Sequence, residues 1–126
     1  MALVSLQWIR LLANTPEKIQ KSDFQKSGEF PIIDQSQNEI AGFTNKKSAV
    51  VKIPKPVVIF GDHTCAIKYS EIPFAQGADG IKILNSREEL IPKFLFYYLI
   101  SNPIKSDGYN RHFSKLKLIK IPIPPM

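Results

Sequence analysis

Residues 56–84 read PVVIFGDHTCAIKYSEIPFAQGADGIKIL, and this stretch decides the fold class. Val57 to Phe60 is a run of β-branched and aromatic residues, which suits a short strand better than a helix. Gly61-Asp62-His63-Thr64 is tight-turn chemistry, and Ala66 to Ile72 then alternates like a strand with one wet face. Gly77-Ala78-Asp79-Gly80 predicts another turn before a strand over Ile81 to Leu84.

The same grammar holds upstream. Phe30 to Asp34, Ile40 to Phe43 and Val50 to Ile53 are strand-length apolar runs, and Asn45-Lys46-Lys47-Ser48 is a polar connection of the kind that joins antiparallel strands. Pro54 and Pro56 cannot donate to a ladder and mark a turn or an edge. At the N-terminus, Leu3, Leu6, Ile9, Leu12 and Ala13 fall near helical spacing and predict a short amphipathic helix within residues 1–14. Downstream the period lengthens. Ser86 with Glu89 has the form of a capping box, but Pro92 soon follows and is the better first-turn residue. Phe94, Leu95, Tyr97, Tyr98, Leu99 and Ile100 then cover most of a helix circumference, which predicts packing on two sides, and Asn102-Pro103 ends it. Ile121 to Met126 is proline-rich, extended chain. The expected fold is α+β in one domain over 1–126: a helix to residue 14, short and mostly antiparallel strands over 15–85, then helical and extended chain over 86–126.

At 126 residues, 44% hydrophobic and 22% charged, the sequence is globular rather than disordered or fibrous. Its longest apolar runs are too short to span a bilayer. The apolar stretch at Leu3 to Leu12 contains Arg10 and has no basic region before it, which argues against a secretory signal. The single cysteine, Cys65, excludes an internal disulfide framework and a cysteine-based zinc site, and the expected location is cytoplasmic.

The net charge of +6 is unevenly spread. Lys46, Lys47, Lys52, Lys55 and Lys68 face only Asp62 within 46–68, and six basic residues face only Asp107 within 93–126. Two basic blocks in a balanced chain suggest a polyanion, because neutralised phosphates release condensed counterions. A solvated lysine-rich surface fits the same excess, and charge alone leaves both open.

Candidates for catalysis or metal binding reduce to Asp62, His63, Asp79 and His112, which would serve a small metal-dependent hydrolase or nuclease if they converged. Their spacing matches no ligand motif, and both Asp residues equally suit their turns. Cys65 and His63 would share a face of a strand, although a buried inert thiol explains Cys65 as well. The glycines form neither a Walker loop nor a dinucleotide fingerprint, so no cofactor is expected. Gly108 to Lys117 (GYNRHFSKLK) is more suggestive: Arg and Lys suit phosphates or guanine edges, Asn suits adenine, and Tyr and His can stack. A solvated helix end burying Phe113 and Leu116 accounts for the same residues.

Four strings together carry more than any one residue. FPIIDQSQNEIAGFTN (30–45), the 56–84 stretch, PKFLFYYL (92–99) and GYNRHFSKLKLIKIPIPP (108–125) resemble, in this order, a target recognition domain of the DNA specificity subunit of type I restriction-modification enzymes. The resemblance spans residues 18 to 125 almost continuously. It implies a DNA-methylase specificity-domain fold and a non-catalytic subunit that recognises double-stranded DNA by sequence. In that family two such domains, carried on helices, each read half of a split target. Methyltransferase subunits modify a flipped adenine, and a motor-nuclease subunit cuts. The single set of motifs here is expected to be one recognition domain or half-subunit, with a second recognition domain as a candidate partner, and complete assembly would need the family's long helices.

Matched onto this chain, the family pattern falls on Ile33-Asp34-Gln35, Gly61 to Thr64, Gly77 to Gly80 and Gly108 to His112. The glycines are expected to shape turns. The residues expected to contact DNA are Lys46, Lys47, His63, Thr64, Lys68, Tyr109, Asn110, Arg111, His112, Lys115 and Lys117.

Overall fold

Every residue of Val57–Gly61 is buried, because this strand is covered on both faces. The computed structural model describes residues 2–5, 9–12, 16–77, 80–86, 90–105 and 112–123. In chain order the elements are β1 (Ala2–Ser5), β2 (Ile9–Leu11), β3 (Phe30–Ile33), β4 (Gly42–Thr44), β5 (Val50–Val51), β6 (Val57–Gly61), β7 (Ile67–Ser70), β8 (Phe74–Gln76), β9 (Ile81–Ser86), α1 (Pro92–Ser101), α2 (Phe113–Lys117) and β10 (Lys120–Ile123). The strands make a sheet ordered β2-β9-β6-β7, a second ordered β4-β3-β8-β5, and a β1-β10 ladder. Among the strands of the described residues β3 and β8 pair in parallel and the other ladders are antiparallel; an isolated bridge between Ile19 and Gly77 is also parallel.

Successive side chains on a strand face opposite ways, so β6 feeds two cores. Val58 and Phe60 pack with Leu84, Leu95 and Leu99 of α1, Leu116 of α2 and Ile121 of β10. Val57 and Ile59 pack with Ile81, Ile83 and, from the other sheet, Ile33, Val51 and Phe74. The result is three layers: helices, central sheet, second sheet. A strand covered on both faces must be apolar throughout, which explains the unbroken VVIF run. A smaller cluster of Ile19, Ile32, Ala49 and Ala75, joined by Phe24, covers the outer face of the second sheet. No helix of the described residues is long and apolar enough to cross a membrane.

The fold is α+β, with strands first and helices later, as expected. Three local expectations are corrected. Ala2–Ser5 and Ile9–Leu11 are strands and not part of a helix. Ala2 to Ser5 pair with Ile123 to Lys120, and Ile9 to Leu11 pair with Ser86 to Leu84. A helix this short has little stability of its own, and two ladders with existing strands outweigh an i, i+3 spacing. Phe74–Gln76 is a further strand, whose signal Pro73 masks. In α1 the packing stops short of the far side: Leu95 and Leu99 are buried with Phe94, Phe96 and Tyr98 packed beside them, whereas Tyr97 is 54% exposed and Ile100 is exposed. Pro92 begins α1 as expected, and Ser86 ends β9.

Candidate nucleic-acid interface

The ends of β3, β6 and β8 and the start of β9 meet at one end of the molecule. There β6 and β7 join through residues 62–66, closed by Gly61 N donating to Ala66 O and Cys65 N donating to Gly61 O, both at 2.8 Å. Cys65 turns the chain at φ +61°, in the left-handed region where a β-carbon is crowded. Gln35, just beyond β3, braces this turn. Its Oε1 accepts from His63 N at 2.8 Å and Thr64 N at 3.3 Å, and its carbonyl accepts from Thr64 Oγ1 at 2.9 Å. The Gln35 amide fits because its neighbours lack β-carbons. One on Gly61 would lie 2.5 Å from Thr64 Oγ1 and 3.1 Å from Gln35 Oε1, and one on Gly80, at φ +65°, would collide with the Gln35 amide nitrogen.

Asp62 bolts α2 to this turn. Its buried carboxylate accepts from His112 N at 3.0 Å and Phe113 N at 2.8 Å, and so caps the start of a helix from 50 residues away. The Asp62 carbonyl accepts from His112 N at 2.7 Å and lies 3.0 Å from His112 Nδ1, while Asp62 N donates to Gly80 O at 2.8 Å. His112 has no exposed surface.

This anchorage positions a cationic cluster. Ile81 and Ile83 face the second sheet, so Lys82 between them points to the helical side. Its Nζ lies 5.6 Å from the centroid of the Phe113 ring, and Lys117 Nζ lies 4.9 Å from the same centroid. Each such contact contributes about 0.5–1 kcal/mol at an exposed site. Lys115, on the same short helix, is half-buried, and Lys117 is exposed.

The expected DNA-contacting residues divide accordingly. His63, Thr64, Lys115 and Lys117 belong to this end or to the helix bolted to it. His112 is also there, but buried as a structural tie. Lys68 is 7% exposed, and its Nζ donates to the carbonyls of Asp34 at 2.7 Å and Asn38 at 2.6 Å, which is a loop-fixing role. Burial first, against the opposing pull of Asp34, holds its pKa below the ordinary lysine value. Lys46 lies on the β4–β5 connection, paired at 3.1 Å with Glu17, which also accepts from Ser48 Oγ at 3.0 Å. The Lys46 hydrogen bond, then that of Ser48, hold the Glu17 carboxyl below its ordinary value. Lys47 is exposed on the same connection. Lys55 donates to the carbonyl of Ser86. Lys55 and Lys68 are thus engaged inside the fold, whereas Lys46 is paired at the surface. Tyr109, Asn110 and Arg111 lie outside the described residues, as does Asp79 of the metal constellation.

Sequence reasoning passed over Lys82 and the role of Gln35. The signal for Lys82 was a lone cation between Ile81 and Ile83; for Gln35 it was the IDQ string itself. Asp62 and His112 do meet, but through backbone amides and a carbonyl. Among the described residues no three His, Cys, Asp or Glu side chains group as metal ligands.

Residues 10–126 match the family model described as the type I restriction modification DNA specificity domain. A curated relative, the type I restriction enzyme EcoR124I/EcoR124II specificity subunit of Escherichia coli, is 26% identical over 133 residues, covering 96% of this chain and 33% of the relative. The chain therefore spans about a third of that relative's length. No solved structure matches it. With residues 10–126 inside the family model, the chain belongs to the type I restriction modification DNA specificity domain family.

Proposed function

We propose that this domain recognises a short double-stranded DNA sequence as a specificity subunit, or half of one, in a type I restriction-modification complex. The observation that carries the reading is the Lys82–Phe113–Lys117 cluster, fixed by Asp62 to the braced turn in a domain of this family. Ammoniums held on a rigid frame give phosphates a fixed register, and side chains of neighbouring loops discriminate bases. In this reading Lys115 and Lys117 with Lys82 grip the backbone, while His63, Thr64 and the 109–111 segment approach the groove. Lys46 and Lys47 lie on a separate connection and contribute at most a peripheral phosphate contact.

The domain does no covalent chemistry in this reading. Asp62, the centre of the alternative hydrolytic site, is occupied in holding two amides. Methyltransferase and motor-nuclease subunits act on the DNA it holds, a second recognition domain supplies the other half-target, and the complex works in the cytoplasm. The test is selection from a random duplex pool by the purified chain, followed by incubation with plasmid DNA and Mg²⁺ or Mn²⁺. A recovered common motif with intact plasmid is expected. No motif, or cleavage that His63→Ala abolishes, would overturn the reading.

A further inference from the structure

The β3–β4 connection carries no basic residue between Asp34 and Ala41, yet it stands beside the braced turn and is fixed more firmly than a bare connection needs. Lys68 Nζ ties the carbonyls of residues 34 and 38 and lies 3.8 Å from the Asp34 carboxylate. Asp34 Oδ1 accepts from Ser36 N at 2.9 Å, Gln35 is locked into the 62–65 turn, and Ala41 N donates to Ile32 O at 2.8 Å. Burying an ammonium is costly, and an apolar side chain of similar volume would fill its place without that cost. What the ammonium supplies is geometry. The loop it holds nevertheless presents Gln37, Asn38 and Glu39 to solvent. Gln37 and Glu39 border a groove of about 400 Å³ whose far wall includes Tyr69 and Phe96. Among the described residues, the buried Ser36 hydroxyl beside them has no hydrogen-bond partner.

Exposed amides and a carboxylate on a fixed backbone suit recognition, since a site must be held by its supporting contacts to discriminate. Their chemistry names the ligand. A side-chain amide offers a donor and an acceptor side by side, matching N6 and N7 of adenine. A carboxylate only accepts, so it fits the exocyclic amine of cytosine or adenine and is repelled by thymine O4 and guanine O6. It would also repel phosphate, so this loop does not grip the backbone. We propose that residues 36–39 form a base-reading loop that selects amino-bearing base edges, adenine and cytosine, through Gln37, Asn38 and Glu39, with Lys68 as the positioning residue that fixes it.

This inference rests on the DNA-recognition reading, and one experiment separates the two. Duplexes are selected from a random pool with the wild-type chain and with Glu39→Gln, Gln37→Ala, Asn38→Ala and Lys68→Met. Affinity is then measured for the selected and a scrambled duplex. Glu39→Gln should lose preference for adenine or cytosine at one position by about tenfold and bind the scrambled duplex somewhat more tightly. Lys68→Met should flatten preference at the positions the loop variants change, reducing the selected-to-scrambled ratio about tenfold. General destabilisation would not single out those positions. If the wild-type chain selects a motif that the three loop variants leave unchanged, the loop is not the reader and the inference is overturned. If the wild-type chain selects nothing, the recognition reading itself fails.

Discussion

His112 N lies 2.7 Å from the carbonyl oxygen and 3.0 Å from the carboxylate of Asp62, a residue 50 positions earlier, and both residues are buried. The same carboxylate receives Phe113 N, so this one acidic side chain sets where α2 and its lysines stand.

Asp62→Ala should therefore cost about 2 kcal/mol, because it strands Phe113 N, while His112 N keeps the Asp62 carbonyl as acceptor. Asp62→Asn keeps an oxygen acceptor and should cost about 1 kcal/mol. Urea unfolding of the two variants checks this. Equal midpoints for wild type and Asp62→Ala would show that the carboxylate does not hold α2.

The turn around Cys65 makes a second prediction. A non-glycine residue in the left-handed region carries a conformational cost of about 1–2 kcal/mol, while the Cys65 side chain packs at the edge of the first core. Cys65→Gly should relieve the first and lose the second, leaving stability within about 1 kcal/mol of wild type. Cys65→Val adds β-branching at the same φ and should destabilise by about 2 kcal/mol or more. Thermal unfolding distinguishes them, and the prediction fails if the valine variant is the more stable.

The lysines should separate by role and not by local sequence charge. Lys82→Ala and Lys117→Ala should each weaken duplex binding by about threefold to tenfold, nearly independently of sequence. Lys46→Ala should do less, since its ammonium already faces Glu17. Fluorescence anisotropy with one labelled duplex gives the ranking, and a larger loss for Lys46→Ala would reverse it.

Glu17 gives the pH dependence. Its carboxyl titrates below its ordinary value of 4.5 because Lys46 and Ser48 hydrogen-bond its charged form. A folded pKa depressed in this way contributes stability above 4.5 that is lost as pH falls through the lower, folded value. The site is exposed, so salt weakens the effect. Carboxyl-detected NMR should show Glu17 titrating low in wild type and moving toward 4.5 in Lys46→Ala; an unmoved titration would remove Lys46 as the cause.

Much of this was legible in the chain. Val57 to Phe60 could be read because burial on both faces forces an unbroken apolar run, Ile81 to Leu84 because it follows a glycine turn, and Pro92 with Asn102-Pro103 marked the limits of α1. The N-terminal strands could not, since their partners Ile121 and Leu84 lie more than 70 positions away and a four-residue segment carries too little periodicity to oppose them. At the candidate site, Lys117 was visible by residue type. The engagement of Lys68, Lys55 and His112 was not, because composition counts a side chain tied into the fold and a free one alike.

The salt dependence of duplex binding tests the central claim most directly: a frame of cationic side chains grips a double helix. Plotting log affinity against log salt for the chain and for the Lys82→Ala/Lys117→Ala double variant should give a slope of about −4 to −7 for the first, as expected for roughly five to eight neutralised phosphates. The double variant should be shallower by about 2. Affinity indifferent to salt, or an unchanged slope in the double variant, would contradict it.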